Sequence, residues 1–414
     1  MARWLYCCVL YLGAPLVWLR LFWRSRKQPA YARHLGERWG YFPTPPPGPL
    51  LWVHAVSVGE TRAAQPLIES LLAAYPDHRV LLTGMTPTGR EAATALYPSR
   101  VVQAYLPYDY PGAMARFFVH FQPCLGVLME TEIWPNLLAT AQRRGVPMVL
   151  VNARLSARSA RGYQRFASLA RPALASLAGV AAQTEADAER LRRVGAQRVT
   201  VVGNLKFDVA PAAALVAQGR AWRTQIGARP IWLAASTRDG EEALILDALA
   251  TLAGRNVLLV LVPRHPQRFD AVADLTASRG WRWERRTAGL PAPDTEVWIG
   301  DSMGEMVAYY SLADCCFIGG SLLPLGGQNL IEAAACGCPV LIGPHTFNFK
   351  QAAEDAIAAG AACRIASVAE LGAEVASLVA DAPRRAAMVA AAHRFSAAHS
   401  GAARRTLDFI ARWL

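Results

Sequence analysis

The sequence predicts an α/β protein with two Rossmann-like domains facing each other across a cleft, preceded by a hydrophobic N-terminal helix. Three observations carry that prediction. Short apolar runs alternate with helix-like stretches along most of the chain, the pattern of parallel strands joined by crossover helices. The alternation comes in two sets, separated by an Ala-rich helical segment from about Ala210 to Gly227. The 414 residues suffice for two ordinary domains, each with its own core.

The first element is the N-terminal segment. No residue from Trp4 to Leu19 is charged, and Arg20 and the basic run Arg24, Ser25, Arg26 and Lys27 follow. A bilayer needs about 20 apolar residues, so the stretch is of borderline length unless Arg20 snorkels. Pro15 lies mid-segment and no small-residue cleavage site follows, which disfavours a removed signal peptide. Residues 1–27 therefore read as an uncleaved membrane anchor, spanning or interfacial, with its basic flank on the cytoplasmic side. The plainer alternative is a buried first helix.

A Pro-rich connector, "YFPTPPPGP", leads into the first alternating set, which makes 28–209 one Rossmann-like domain. Its strand-like runs are "LLWVHAV", "HRVLLTG", "CLGVLM", "PMVLVNA" and "GVAAQT", closed by "VTVVGNLKFD". Residues 210–227 read as a linker. The second set, within 228–390, runs through "IWLAAST", "NVLLVLVPRHP", "TEVWIGDS", "CCFIGGS" and "PVLIGPH". Each of these carries Gly, Ser, Thr, Arg or Asp at its carboxyl side, and ligands of open α/β sheets bind beyond the carboxyl ends of strands. The Ala-rich tail reads as surface helices, the last of which, in 391–414, can pack back on the N-terminal domain.

Composition narrows the function. With 53% hydrophobic and 18% charged residues the chain is globular, not disordered. A net charge of +12, mostly from Arg, favours an anionic partner, although a coding bias toward Ala and Arg gives the same excess. The eight cysteines form no C-x-x-C pair and no zinc-like cluster with His, so reduced thiols and no metal are expected. No aromatic–basic interleaving or helix-turn-helix pattern recommends nucleic acid. There is neither a phosphate-binding G-x-x-x-x-G-K-[ST] nor a G-x-S-x-G elbow.

Several motifs carry chemistry. In "HAVSVGET", Glu60 follows Ser57 by three residues at a strand-to-helix turn, which suits either a capping box or a catalytic carboxylate. "METEIWPN" places Glu130 and Glu132 after a buried strand. "NARLSARSARGYQRF" groups Arg154, Arg158, Arg161 and Arg165, a grip for a phosphorylated lipid or simply a solvated helix face. "GNLKFD" supplies Lys206, a cation suited to a leaving phosphate. In the second half, Gly319, Gly320, Gly326 and Gly327 lead through Gln328 and Asn329 to an apolar helix holding Glu332. That arrangement suits a phosphate at a helix N-terminus, or merely turns the chain. Arg264 and His265 follow an apolar strand, and Asp301 and Glu305 flank Gly304 at another strand end.

Taken in order, "HAVSVGET", "GMTPTG", "LPYD", "METEIWPN", "NARLSARS", "GNLKFD", "LVPRHPQRF", "GDSMGEM", "FIGGSLLPLGGQNLIEAA" and "GPHTFNF" resemble the bacterial 3-deoxy-D-manno-octulosonic acid (Kdo) transferases over nearly the whole chain. The N-terminal "LYLGAPLVWLRLFWRSRK" is similar to their membrane anchor. The resemblance implies an inverting GT-B glycosyltransferase that needs no metal or other cofactor. It implies transfer of Kdo from CMP-Kdo to the lipid A precursor (lipid IVA) at the cytoplasmic face of the bacterial inner membrane, with the membrane lipid surface as a further partner. By motif, Glu60 is implied as general base, with Glu130 and Lys206 assisting the transition state. Pro263 and Arg264, the segment Met303, Gly304 and Glu305, and the run Asn329, Leu330, Ile331 and Glu332 are implied to hold CMP. Many relatives read "GGHN" where this chain has "GGQN"; Gln328 donates hydrogen bonds but cannot become a cation. A different nucleotide-sugar enzyme of the same fold, acting on a membrane lipid, is the alternative.

Overall fold

The computed structural model describes residues 1–43, 48–98 and 100–414. Part of the Pro-rich connector, residues 44–47, lies outside the described residues. The chain parts into two units, Met1–Val209 with Ser400–Leu414, and Ala210–His399.

In the first unit seven described strands form one sheet: β1 (Leu50–His54), β2 (Arg79–Gly84), β3 (Val101–Tyr105), β4 (Leu125–Met129), β5 (Met148–Ala153), β6 (Gly179–Ala182) and β7 (Val199–Val201). Their order is β3-β2-β1-β4-β5-β6-β7, and every pairing is parallel. Strands β1, β4 and β5 are buried along their whole length, as their unbroken apolar runs require. Alternate residues feed opposite cores: Leu50 and Trp52 pack on one face, Leu51 and Val53 on the other. Trp52 packs at a tilt on Phe117 and edge-on to Phe118, and its indole N–H donates to Thr83 Oγ1 at 2.8 Å. Gly126 faces it on β4, where a Cβ would lie 2.9 Å from the indole ring and closer still to Met148.

The second unit repeats the plan with β8 (Ile231–Thr237), β9 (Leu258–Pro263), β10 (Trp283–Arg285), β11 (Val297–Ile299), β12 (Cys315–Ile318), β13 (Val340–Ile342) and β14 (Ala362–Arg364). The order is β10-β11-β9-β8-β12-β13-β14, again all parallel. Cys315 and Cys316 are fully buried in β12 as small hydrophobes.

The structure departs from the sequence reading in three places. The N-terminal segment is two helices, Ala2–Leu12 and Ala14–Lys27, bent by 48° at Gly13; among the described residues no single helix is long and apolar enough to cross a membrane. The break falls before Pro15, which sits in the first turn of the second helix, where its missing N–H costs nothing. Residues 210–227 are helical, as the Ala-rich run suggests, but the helix Ala213–Ile226 belongs to the second unit and is not a separate linker. Its Trp222 packs on Trp298 and Tyr309, and Gly219 lets it approach the Ala308 carbonyl.

The tail's helices bury apolar side chains instead of lying wholly on the surface, and the last of them does pack back on the first unit. Ala382–His399 stays in the second unit, burying Met388 and Phe395. Ala402–Ile410 returns to the first, burying Phe409 and Ile410. Both oxygens of Asp208 accept from this last helix's first turn, from Gly401 N–H and Ala403 N–H at 2.5 Å each.

Candidate active site

In a doubly wound sheet the order of strands reverses at one point, and the crevice there lies beyond the strands' carboxyl ends. The reversal falls between β1 and β4 in the first unit and between β8 and β12 in the second.

At the first reversal, β1 runs through the turn at Ser57 into the helix Val58–Ala74, which carries Glu60 in its first turn. Ser57 makes no side-chain cap. Instead Glu60 reaches back: one carboxylate oxygen accepts the Val56 N–H at 2.8 Å, the other the Ser57 hydroxyl at 3.1 Å. Burial pushes Glu60 up to about 7, against the pull of the Val56 bond, and the nearby charges of Glu130 and Glu132 push the same way. Desolvation therefore outweighs the helix terminus, and the capping group is also a carboxylate poised near neutrality.

Beyond β4, Glu130 sits in the left-handed region at φ 57, a costly conformation for a non-glycine residue. Its N–H still bonds Val151 O in the sheet, while its carboxylate meets Lys206 Nζ at 3.0 Å. Lys206 follows β7 in a short 3-10 turn that Asn152 of β5 fixes by accepting the Leu205 N–H at 3.0 Å. Thus the ends of β1, β4, β5 and β7 contribute to one cluster. Glu132 accepts the Trp134 indole N–H at 2.6 Å, and burial raises its carboxyl as well. Arg158, Arg161 and Arg165 are exposed on the helix Ala157–Arg165, and no carboxylate pairs with them among the described residues.

At the second reversal, Gly319 and Gly320 follow β12. A Cβ on Gly319 would lie 2.5 Å from the Ser236 carbonyl of β8, so only glycine fits. Glu241, fully buried, clamps the loop by accepting the N–H groups of Gly320 at 2.5 Å, Leu322 at 3.0 Å and Arg238 at 3.0 Å. Arg264 follows β9, and its N–H bonds Thr237 O at 2.9 Å. Arg238, Arg264 and Arg268 all act with burial to lower the His265 imidazole pKa, so these cations share one locality. Arg268 is neutralised by Asp239 and Glu242, whereas Arg238 and Arg264 have no carboxylate partner among the described residues.

A family model described as "3-Deoxy-D-manno-octulosonic-acid transferase (kdotransferase)" matches residues 33–209. The 3-deoxy-D-manno-octulosonic acid transferase of Bordetella pertussis is 47% identical over 431 residues, covering all of both chains. The chain belongs to the Kdo transferases. The Haemophilus influenzae member is 39% identical, covering 85% of this chain and 84% of its own. A UDP-GlcNAc 2-epimerase from Neisseria meningitidis shares the fold alone, with a TM-score of 0.62 at 14% identity over 88% of this chain and 100% of its own.

As a Kdo transferase this chain is a glycosyltransferase, and its motif residues can be placed one by one. Glu60, Glu130 and Lys206 come together in the first unit. In the second, Glu305 is already engaged: it accepts from Gln218 and Arg286 at 3.0 Å each, and from the Ser302 hydroxyl. At the same turn Met303 is exposed, and Gly304 has a φ of 89 that needs glycine. Pro263 ends β9 in the core. Leu330 and Ile331 are buried. The apolar helix expected there has five residues, Ile331–Ala335, and Asn329 Oδ1 takes its Ile331 N–H at 3.1 Å; its dipole is accordingly small. Gln328 lies against Gly320.

Sequence reasoning passed over Arg238 and Glu241. The signal was "STRDGEE", in which Gly240 at φ 86 turns a strand end into a helix that opens with paired acids.

Proposed function

We propose that this Kdo transferase moves Kdo from CMP-Kdo to the lipid A precursor with inversion and without a metal ion. The observation that carries the mechanism is the Glu60 carboxylate, half-buried, pushed up to about 7 and backed by the Glu130–Lys206 pair at the strand reversal. The acceptor hydroxyl attacks the anomeric carbon of Kdo while Glu60 takes its proton. The new C–O bond forms as the bond to the CMP phosphate oxygen breaks, and single displacement inverts the centre. Glu130 and Lys206 hold the acceptor side in register and offset charge as it develops. In the second unit the glycine loop, Arg264 and Arg238 take the phosphate. Pro263, Met303 to Glu305, and Asn329 to Glu332 frame the rest of CMP, Glu305 by fixing its own turn.

The bent pair Ala2–Leu12 and Ala14–Lys27 attaches the enzyme to the cytoplasmic face of the inner membrane. Trp4, Leu5, Val9, Leu12, Leu16 and Trp23 are exposed on it, and Arg20 and Arg24 suit anionic headgroups.

The test is transfer by the purified full-length protein from CMP-Kdo to tetra-acylated lipid A precursor, with and without chelator. Product with the anomeric configuration inverted, formed equally in both, is expected. No transfer, transfer only from another sugar nucleotide, or loss of activity with chelator would contradict the reading.

A further inference from the structure

Outside the carboxylate cluster, the first unit carries a groove of about 420 Å3, within the roughly 300–1,000 Å3 range of small-ligand sites. Its floor and walls come from Tyr6 of the first helix, Ile133 of the turn after β4, Pro135 at the start of the helix that follows, and Gly162, Tyr163 and Phe166. On the helix Ala157–Arg165 and its end, Gly162, Tyr163 and Phe166 fall at helical spacing on one side. Arg158, Arg161 and Arg165 form a neighbouring stripe, also at three- and four-residue spacing. One short helix thus presents an apolar face and a cationic face side by side.

The groove adjoins the carboxylate cluster. Ile133 and Pro135 bracket Trp134, whose indole N–H holds Glu132 at 2.6 Å. The Tyr163 phenol is raised by burial and then by the Glu132 charge, which places the groove wall beside the carboxylates that act on Glu60. Its other wall, Tyr6, is pinned by donating to Asp109 at 3.1 Å. Trp4, Leu5 and Val9 of the same helix are exposed, so an alkyl chain entering there need not cross water.

We propose that this groove binds one acyl chain of the acceptor lipid, while Arg158, Arg161 and Arg165 meet its phosphate. The inference rests on the reading of an acylated, phosphorylated acceptor and adds the place where its chain lies. Apolar burial sets the register of the sugar against Glu60, and the arginines supply the charge match.

Gly162 allows a direct test, because a Cβ there meets no heavy atom within 4 Å and a larger side chain would fill the groove. The full-length wild type and Gly162→Trp are compared on tetra-acylated lipid A precursor and on its fully deacylated bisphosphorylated disaccharide. Gly162→Trp is expected to raise KM for the acylated acceptor about tenfold or more, leaving the deacylated acceptor, CMP-Kdo binding and vesicle attachment unchanged. Phe166→Asp, at the exposed rim, is expected to act in the same direction without a core change, and stands in if Gly162→Trp fails to fold. An unchanged acyl preference in the variants, or an equal loss on both acceptors, overturns the groove assignment. Reduced vesicle binding with unchanged acceptor preference overturns it too, placing a bulk membrane lipid there. A wild type that ignores the acylated acceptor instead sinks the reading of the acceptor itself.

Discussion

Lys206 and Glu130, 76 positions apart in sequence, form an ion pair of 3.0 Å, each side chain about a quarter exposed or less. The pair matters because Glu130 faces Glu60 and Glu132, and three carboxylates in one cluster need a cation. Lys206→Ala is expected to lower kcat by about 10²–10³-fold. Without the ammonium the Glu130 charge acts on Glu60 unopposed, so the pH at which activity reaches half its plateau should move upward. Lys206→Arg should restore part of the rate. A pH–rate profile that keeps its midpoint in Lys206→Ala would argue against this coupling.

The proposed role of Glu60 as base sets the expected pH dependence of the wild type. A base must be ionised to work, so kcat/KM should rise with pH through about 7. Stability runs the opposite way. Glu60 moves from an ordinary 4.5 to about 7 and buried Asp109 from 3.8 to about 7, so the folded protein keeps protons that the unfolded chain has already lost. Their contribution is full below those ordinary values and is lost as pH rises through about 7. Melting temperature against pH, compared between wild type and Asp109→Asn, should show a flatter slope between pH 5 and 7 in the variant.

Glu241 organises the glycine loop without facing a ligand. Glu241→Gln sets an amide group among three N–H donors, at a cost of about 1–3 kcal/mol. For a unit of this size that lowers the melting temperature by roughly 2–4 °C per kcal/mol. CMP binding, followed by calorimetry, should weaken alongside it. Full-strength CMP binding in a destabilised Glu241→Gln protein would separate the loop from the nucleotide.

Arg238 and Arg264 carry uncompensated charge near the loop. Each alanine substitution is expected to weaken CMP binding about tenfold or more, the range of a charge-assisted hydrogen bond. Added salt should shrink the difference from wild type. Binding of cytidine without phosphate should be unaffected, and an equal loss there would contradict a phosphate role.

The parts of the fold that were legible in the sequence share a cause. Strands β1, β4, β5, β8, β9 and β12 are central, buried on both faces, and so read as unbroken apolar runs. The strands passed over, β3, β10 and β14, are edges: Gln103, Glu284 and Arg364 interrupt them, and two have only three residues. The bend at Gly13 escaped notice because hydropathy counts apolar residues along the chain and takes no account of docking. Tyr6 bonds Asp109, Tyr11 lies against Tyr110 and Trp18 stacks on Trp39, contacts with partners far away in sequence.

The candidate site was legible in part for a similar reason. The turns that carry Glu60 and Glu130 show in the local pattern, but their roles were implied only by the family resemblance, whereas the Lys206–Glu130 pair depends on strand order. Glu241 looked like an ordinary acid in a helix's first turn. Only the closeness of β8 and β12 turns it into a clamp.

The central claim is that the group capping the Val58–Ala74 helix is also the base. Glu60→Gln keeps a carbonyl oxygen for the Val56 N–H, turns the bond accepted from the Ser57 hydroxyl into one its amide can donate to that oxygen, and loses the ability to take a proton. Turnover and CMP-Kdo binding measured on the same purified Glu60→Gln protein, with its melting temperature, test this most directly. The account predicts a fall in turnover of about 10²–10⁴-fold with donor affinity and melting temperature close to wild type. Near-normal turnover, or a loss of activity that merely follows a loss of fold, would contradict it.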